Sequence, residues 1–600
     1  MSTASVADRP ASFAAMFTDR VAATPDTEAF RFPGEGGSWT SLTWKQTKER
    51  VFDLAAGLVA LGVEVEQRVA IASATRIEWI LADLAISCAG AATTTVYPAT
   101  AEGDVQFILS DSQSTVVFAE DAGQVAKIKA ADVPGLSAIV AFDAEAAGDG
   151  VLSLDELAGK GAALRAEQPG VIDDRIASLG PENLATLIYT SGTTGRPKGV
   201  RLVQDNWAYE GVAIEALDIL RPSDVHYLWL PLSHVFGKVL LAAQWRIGFA
   251  TAVDGSLDRI VENMAVIKPT VMAGAPRIFE KVRAKVSLTI QQEGGLKAKI
   301  FDWAFGQGIK ASRDRQAGRA SGALHKGQLA VADKLVFTKI RGRLGGRIRV
   351  LVSGSAALSK EVAEWFDAAG LNLIEGYGLT ETSAATCVNL PSAKRIGMVG
   401  PPLPGTEVII AADGEVLVRG GGVMRGYHHN TEATEEVLTA DGWFHTGDIG
   451  ELDNGYLRIT DRKKDLIKTS GGKYVAPQKV EVIFKAVCPY VSNIVVHGDG
   501  RKFVSALITL DEEAILGWAE HNGVSGGYRE VATSPQAREL ISGYVDELNG
   551  KLERWETIKK FEILDHDLSV EDGEMTPSMK VRRKAVEKQY RETLDTFYVE

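Results

Sequence analysis

The chain has 600 residues, 45% of them hydrophobic and 24% charged, with a mean hydropathy near zero. That is the composition of a soluble globular protein too long for one core, so two or more domains are expected. A net charge of −13 speaks against nucleic acid as the main partner, and three scattered cysteines (Cys88, Cys387, Cys488) encode neither a disulfide framework nor a zinc site.

The first ten residues lack a basic and an apolar region, and no uninterrupted apolar run is long enough to span a bilayer, so a cytoplasmic setting is expected. Trp44 to Leu61 carries Val51, Leu54, Leu58 and Leu61 at helical spacing and stops at Gly62. Val69–Ala72 reads as a strand, followed by a helix through Ile77, Ile80 and Leu84. Thr115–Phe118 and Ser137–Phe142 are further strands, with a helix between them. Short apolar strands separated by helices predict an α/β fold of doubly wound sheets, with ligands gathered at the carboxyl ends of the strands.

The apolar run Ala185–Ile188 empties into Tyr189-Thr190-Ser191-Gly192-Thr193-Thr194-Gly195-Arg196-Pro197-Lys198-Gly199-Val200. Three glycines and four Ser/Thr hydroxyls can turn several N–H and O–H donors toward one anion, and Lys198 adds a mobile charge. The spacing is not that of a Walker A loop. Taken alone, the stretch also reads as a flexible surface turn.

From Arg277 to Arg349 there are seventeen Lys/Arg against five Asp/Glu. The segment has helix-like apolar spacing around Ile300, Phe301, Trp303 and Phe305, and again around Leu329, Leu335 and Phe337. It reads either as a solvated basic face on two packed helices or as a surface that meets anionic lipid. Arg349–Val352 is a strand, Gly354–Ala357 a loop, Ser359 the cap of a helix ending at Gly370, and Leu371–Ile374 another strand. Beyond about residue 400, alternating segments such as Glu415–Arg419 and Gly455–Ile459 predict a small β subdomain. From about 465 the chain reads as a compact α+β unit, with a helix opening at Pro477 and a hairpin from Asn493–His497 and Phe503–Ile508.

Five further motifs follow the Gly-rich loop: Leu230-Pro-Leu-Ser-His234, Glu375-Gly-Tyr-Gly-Leu-Thr-Glu381, Thr446-Gly-Asp448, Asp461-Arg-Lys-Lys-Asp-Leu-Ile-Lys468 and Met575-Thr-Pro-Ser-Met-Lys580. In this order they resemble the AMP-forming adenylating superfamily over nearly the whole chain, and their wording is similar to the bacterial long-chain fatty acyl-CoA synthetases. The resemblance implies a large domain over residues 1–462, with the basic insertion at 277–349, and a mobile domain over 463–600 that turns about Lys464.

It also implies roles residue by residue. Tyr377 would stack on adenine, with Gly354, Ser355 and Ala356 as another wall of that pocket and Glu375, Gly376 and Gly378 around it. The glycines beside Tyr377 would clear space for the ring face. Thr190, Ser191, Gly192, Thr193, Thr194, Gly195 and Lys198 would cradle the phosphates. Thr380 would bond the α-phosphate, and Glu381 with Thr190 would hold Mg²⁺, a hard cation suited to oxygen ligands. Asp448 would accept the ribose hydroxyls, helped by Arg462, and His234 would sit at the mouth of the acyl pocket. By residue type alone, Tyr377 and His234 also read as core side chains and Asp448 as a turn-former.

Lys580 would bridge the carboxylate and the α-phosphate where charge concentrates in the transition state. The family often has glycine just before this lysine, where this chain has Met579. Lys468, Ser470, Gly471 and Gly472 would approach coenzyme A after the domain turns. Ala273-Gly274-Ala275 is a candidate lining of the acyl tunnel. The implied reaction consumes a long-chain fatty acid, ATP and coenzyme A, with no stable protein partner, no nucleic acid, and at most a peripheral contact with the inner face of a membrane. Loading onto a carrier protein, a non-catalytic binding role and phosphoryl transfer remain the alternatives.

Overall fold

Strand pairing in the computed structural model, which describes residues 4–190 and 196–599, follows from the alternation of short apolar strands with helices. One sheet orders its strands Val151–Ser153, Ala138–Ala141, Val116–Ala119, Arg68–Ala72, Ala92–Val96, Leu184–Thr190 and Lys198–Val203. All pairs are parallel except the last, where Lys198–Val203 returns antiparallel beside Leu184–Thr190. A second sheet runs Cys387–Val388, Leu373–Tyr377, Val350–Ser353, Val271–Gly274, Val225–Leu228, Ala250–Val253, Glu28–Pro33 and Trp39–Thr43. It is parallel through its middle, with one antiparallel pair at each edge. The strands Leu184–Thr190, Val350–Ser353 and Leu373–Tyr377 all finish at one cleft, as expected for open parallel sheets.

Local sequence explains the helices that brace these sheets. Trp44–Ala60 opens with a capping box between Thr43 and Gln46, and Gly62, at φ 87°, turns the chain away after its end. Leu154–Glu167 opens on a second box, Ser153 with Glu156. The two helices cross at glycines. A Cβ on Gly161 would lie 1.8 Å from the Asp53 carbonyl oxygen, and one on Gly57 would lie 2.3 Å from that of Leu157. Backbone meets backbone here, so no rotamer change can make room.

The predicted strand at 371–374 forms two residues later, as Leu373–Tyr377. Gly370, at φ 74°, is still turning the chain out of the preceding helix, while Cys387–Val388 pairs with Gly376 and Tyr377 and carries the strand forward. The basic insertion contains more than two helices: Pro276–Glu293, Gly295–Gln316, Ala323–Ala332, a π-turn at Asp333–Phe337, and Thr338–Arg343. Phe305 stacks on Trp365 with ring centroids 4.8 Å apart, which seats the insertion on the helix Lys360–Ala368. Leu335, expected with the core-facing residues, is 43% exposed because the π-turn rotates it outward.

Residues 407–462 form a four-stranded antiparallel sheet. After it, the chain builds separate cores on a three-stranded sheet, Val491–His497, Val504–Leu510 and Ile558–Ile563. Alternation along a strand gives each face its own layer. Ile494, Val496, Ala506 and Ile508 pack with Val480, Phe484 and Ile541 on one side, while Val495 and Leu507 pack with Met575, Val586 and Leu594 on the other. The second layer positions the loop that carries Lys580.

Gly161→Ala should destabilise the protein by about 1–3 kcal/mol, the scale of overpacking where neighbours cannot yield. Thermal unfolding checks this, with Gly159→Ala in the same helix, where a Cβ meets nothing within 4 Å, as the control that should hold or gain stability.

Candidate active site

A cavity of about 1020 Å³ opens where the strand ends, the small antiparallel sheet and the C-terminal unit meet. Thr190, Lys198, His234, Gly354, Ser355, Ala356, Glu375, Gly376, Tyr377, Gly378, Thr380, Glu381, Asp448, Arg462, Lys464 and Lys580 all line it. Residues far apart in sequence thus share one space.

Asp448 stands at the centre. The Tyr377 hydroxyl donates to its Oδ2 at 2.7 Å, and Arg462 Nε lies 3.3 Å from its Oδ1. Register fixes this pair, because Asp448 faces Arg462 directly across neighbouring antiparallel strands. Burial raises the Asp448 carboxyl above its ordinary range, while Arg462, Tyr377 and Lys580 oppose the shift. Of the glycines flanking Tyr377, only Gly378 is sterically required. A Cβ there would lie 1.5 Å from the Ala384 carbonyl oxygen, whereas Gly376 has ordinary room. The crowding comes from backbone, not from the tyrosine ring face.

On the phosphate side, Thr190 and Lys198 face each other at the mouth of the loop. Ser191, Gly192, Thr193, Thr194 and Gly195 lie outside the described residues. Lys198 Nζ sits 5.0 Å above the Tyr427 ring, and the Tyr427 hydroxyl donates to Glu381 Oε1 at 2.9 Å. Among the described residues no hydrogen bond engages Glu381 Oε2. A carboxylate with one oxygen unbonded among the described residues, lining the same cavity as the Thr190 hydroxyl, is a donor type that suits Mg²⁺. Tyr427 was not foreseen, because its partner Glu381 lies 46 positions away in the sequence.

His234 caps the helix Val235–Ile247, with its Nδ1 accepting from the Phe236 N–H at 3.1 Å. The ring proton therefore rests on Nε2. Burial, with Lys580 nearby, pushes the imidazole pKa down to about 3, so His234 is a neutral donor into the cavity.

Lys580 projects into the cleft from the C-terminal unit. Its loop is closed by Thr576 N–H donating to the Lys580 carbonyl at 2.8 Å, and by the Lys580 N–H donating to Thr576 Oγ1 at 3.1 Å. Met579 sits at φ 61°, a left-handed conformation that costs a side-chain-bearing residue about 1–2 kcal/mol and that glycine adopts freely. This accounts for the glycine that the resembled family often carries there. The ammonium reaches the water of the cleft but is walled in by protein. Desolvation and Arg462 push its pKa down to about 8, against the pull of Glu381 and Asp448.

Lys468, Ser470, Gly471 and Gly472 do not line the cavity and lie outward on the C-terminal unit. Ala273, Gly274 and Ala275 do not line it either. A Cβ on Gly274 would press on Trp229 and Ile278, so that strand end is sealed by packing. The apolar wall is instead built by Leu217, Ile219, Leu220, Val239, Leu240 and Ala243, from the helix Val235–Ile247 and the segment after Gln204–Glu215.

Doubly wound sheets that close a nucleotide-sized cleft against a small C-terminal unit carrying a lysine define an adenylate-forming protein. The chain belongs to the AMP-binding enzyme family: it matches that family over residues 17–428 and the AMP-binding enzyme C-terminal domain over residues 464–600. It is similar to the long-chain-fatty-acid–CoA ligase FadD15 of Mycobacterium tuberculosis, at 39% identity over 94% of this chain and 93% of the relative. Long chain acyl-CoA synthetase 4 of Arabidopsis thaliana is 30% identical over 94% and 88%. Among solved structures, the adenylation domain of a carboxylate reductase from Mycobacterium chelonae superposes with a TM-score of 0.74 at 20% identity, covering 100% of this chain and 93% of that one. At that identity the likeness speaks to the fold.

A lysine with a depressed pKa holds its charge below about 8 and loses it as pH rises through that value, well before an ordinary lysine near 10.5. The rate at which a small amine-reactive reagent labels Lys580 should therefore reach half its maximum near pH 8. Asp448→Asn should move that point lower still, because the Asp448 charge favours the ammonium. Peptide mapping of the labelled protein gives the profile, and a midpoint above 10 would remove the assignment.

Proposed function

We propose that the chain joins a long-chain fatty acid to coenzyme A in two steps. The fatty carboxylate attacks the α-phosphate of ATP, releasing pyrophosphate and leaving an acyl-adenylate. The coenzyme A thiol then attacks the acyl carbon, giving the thioester, with AMP as the leaving group and the thiol proton passing to solvent. The observation that carries this reading is that one cavity joins a polar, nucleotide-shaped half to an apolar wall, with Lys580 reaching in from the C-terminal unit. The names of the curated relatives point to the same substrate class.

Within this reading, Tyr377 and the loop Gly354–Ala356 hold adenine, Asp448 and Arg462 hold ribose, and Lys198 with the hydroxyls of residues 190–194 holds the phosphates. Thr380 and His234 stand by the α-phosphate and the carboxylate. Glu381 and Thr190 would hold Mg²⁺, which would supply positive charge against the phosphates. Lys580 spans the two anions that must meet, and a charge placed where charge develops is the largest single lever such a site has. Residues 1–462 and 463–600 act as two bodies hinged at Lys464, an exposed turn residue between the strands Tyr456–Arg462 and Ile467–Lys468. A turn there can absorb the dihedral change that carries Lys580 out and brings Lys468, Ser470, Gly471 and Gly472 toward the thiol.

Lys580→Ala should lower acyl-adenylate formation a hundredfold or more, about 3 kcal/mol, while ATP binding weakens far less. Thioester formation from supplied acyl-adenylate and coenzyme A should stay near wild type. Fatty-acid-dependent pyrophosphate release, measured with and without coenzyme A, separates the two halves. Unchanged adenylation would overturn the role given to Lys580. Release of ADP would overturn the reaction, and product formation only with a carrier protein would favour that alternative.

The outer helices of the insertion support a peripheral contact with anionic membrane. Leu296 and Leu324, 72% and 81% exposed, stand out of the surface, together with Val331 and Leu335 and the exposed Lys299, Lys326, Lys334 and Lys339. Among the described residues no helix is long and apolar enough to cross a membrane. Binding to vesicles rich in anionic lipid should weaken steeply as salt rises, because attraction beyond about 10 Å is already screened at about 0.1 M. Leu296→Ser with Leu324→Ser should reduce it. Equal binding to neutral vesicles would point to a solvated face.

A further inference from the structure

One face of the first helix of the basic insertion, Pro276–Glu293, meets the C-terminal unit. Arg277, Lys281 and Lys285 recur every four residues and so fall on one face of the helix. Each meets a different group beyond the hinge. Arg277 Nη2 donates to Ser492 Oγ at 2.6 Å, and Ser492 donates in turn to Asp567 Oδ2 at 2.5 Å. Lys281 Nζ lies 2.9 Å from Asp511 Oδ2, and Lys285 Nζ lies 2.9 Å from Glu513 Oε1. Beside this row, Arg283 Nη1 donates to the Ala486 carbonyl at 2.9 Å.

That carbonyl belongs to the last turn of the helix Pro477–Val487, where backbone acceptors lack partners within the helix. Burial raises Glu280 and lowers Lys485, and each favours the other's charge across the same junction. Arg277, Lys281, Arg283 and Lys285 place cations opposite a carboxylate-bound hydroxyl, two carboxylates and a helix C-terminus, and Glu280 facing Lys485 adds one pair of reversed polarity. These contacts involve three separate elements of the C-terminal unit: the end of one helix, the first strand of the sheet, and the start of the helix Glu512–Asn522.

We propose that this helix is a latch that holds the C-terminal unit in the arrangement with Lys580 in the cleft, and that Arg277, Lys281, Arg283 and Lys285 are positioning residues for adenylation. The proposal rests on the two-step reading above. A rigid turn of residues 463–600 about Lys464 carries Ser492, Asp511, Glu513 and the Ala486 carbonyl away together, so every one of these contacts belongs to one arrangement alone. Interactions present in one state and absent from the other shift the population by their sum. Arg283 is largely shielded by the junction, and Arg277 reaches a hydroxyl already bonded to a carboxylate, so these two contribute more than the exposed Lys285–Glu513 pair. Part of the positive charge of residues 277–349 is thereby used inside the molecule, which its sequence does not reveal.

The test is charge reversal at the two solvent-accessible positions, Lys281→Glu with Lys285→Glu, which sets like charges against Asp511 and Glu513 without emptying a core. Adenylation, read as fatty-acid-dependent pyrophosphate release without coenzyme A, should fall five- to tenfold. Thioester formation from supplied acyl-adenylate should hold or rise. Adding Asp511→Asn and Glu513→Lys should restore adenylation to within about twofold of wild type, since Asn keeps the cap of the helix Glu512–Asn522 while the opposing charges are removed or reversed.

Small-angle X-ray scattering of the free protein gives a readout that needs no reaction. The reversed variant should depart from the profile calculated for this arrangement, and the restored variant should return to it. A wild type that makes no acyl-adenylate, combined with the scattering shift, would sink the two-step reading and leave the latch standing. Equal loss in both half-reactions, failure of the compensating pair to restore activity, or an unchanged scattering profile would overturn the latch.

Discussion

The pairing of Asp448 with Arg462 across two antiparallel strands is the constraint on which the rest of the site depends. One carboxylate receives the hydroxyl of Tyr377 from the large sheet and the guanidinium of Arg462 from the strand leading to the hinge, and it lies within electrostatic reach of Lys580 in the C-terminal unit. Backbone register decides that Asp448 and Arg462 meet, so that pairing survives any motion that keeps the small sheet intact. The hinge begins two residues after Arg462. The proposed nucleotide pocket and the proposed pivot are consequently neighbours, since the strand that pairs with Asp448 ends at the turn holding Lys464.

The electrostatics of the cleft follow from that closeness. A buried acid is pushed toward neutrality, a walled-in lysine toward deprotonation, and a histidine that accepts from backbone is held neutral. Each shift would be costly in isolation. Here the acid and the lysine favour one another's charged forms, and a ligand carrying several negative charges would strengthen the cationic side further. Such electrostatics favour an anion in the cleft, as the proposed reaction requires.

Much of this was legible in the sequence. The parallel sheets follow from short runs such as Val69–Ala72 and Thr115–Phe118, the caps from Thr43 and Ser359, and the C-terminal hairpin from Asn493–His497. Thr190, His234, Tyr377, Glu381, Asp448 and Lys580 share one cavity, and it is their motifs that single them out in the sequence. Features set by packing between distant segments did not show. Ala273-Gly274-Ala275 looked like a tunnel lining because small residues suggest room, yet Trp229 and Ile278 occupy that room. Tyr427 acts through a partner 46 positions away, and no local pattern announces that. The row Arg277, Lys281, Lys285 has clear helical spacing, but what it faces depends on how two domains dock.

The link between the two bodies is a single short turn between Arg462 and Ile467. A reagent on so short a tether is present at its target at an effective concentration on the order of millimolar, whatever the amount of protein in solution. On the proposed two-body reading, delivery and withdrawal of Lys580 are therefore unimolecular events, insensitive to dilution. An isolated C-terminal fragment added in trans would have to supply that concentration from solution, and would lose the advantage that covalent continuity confers.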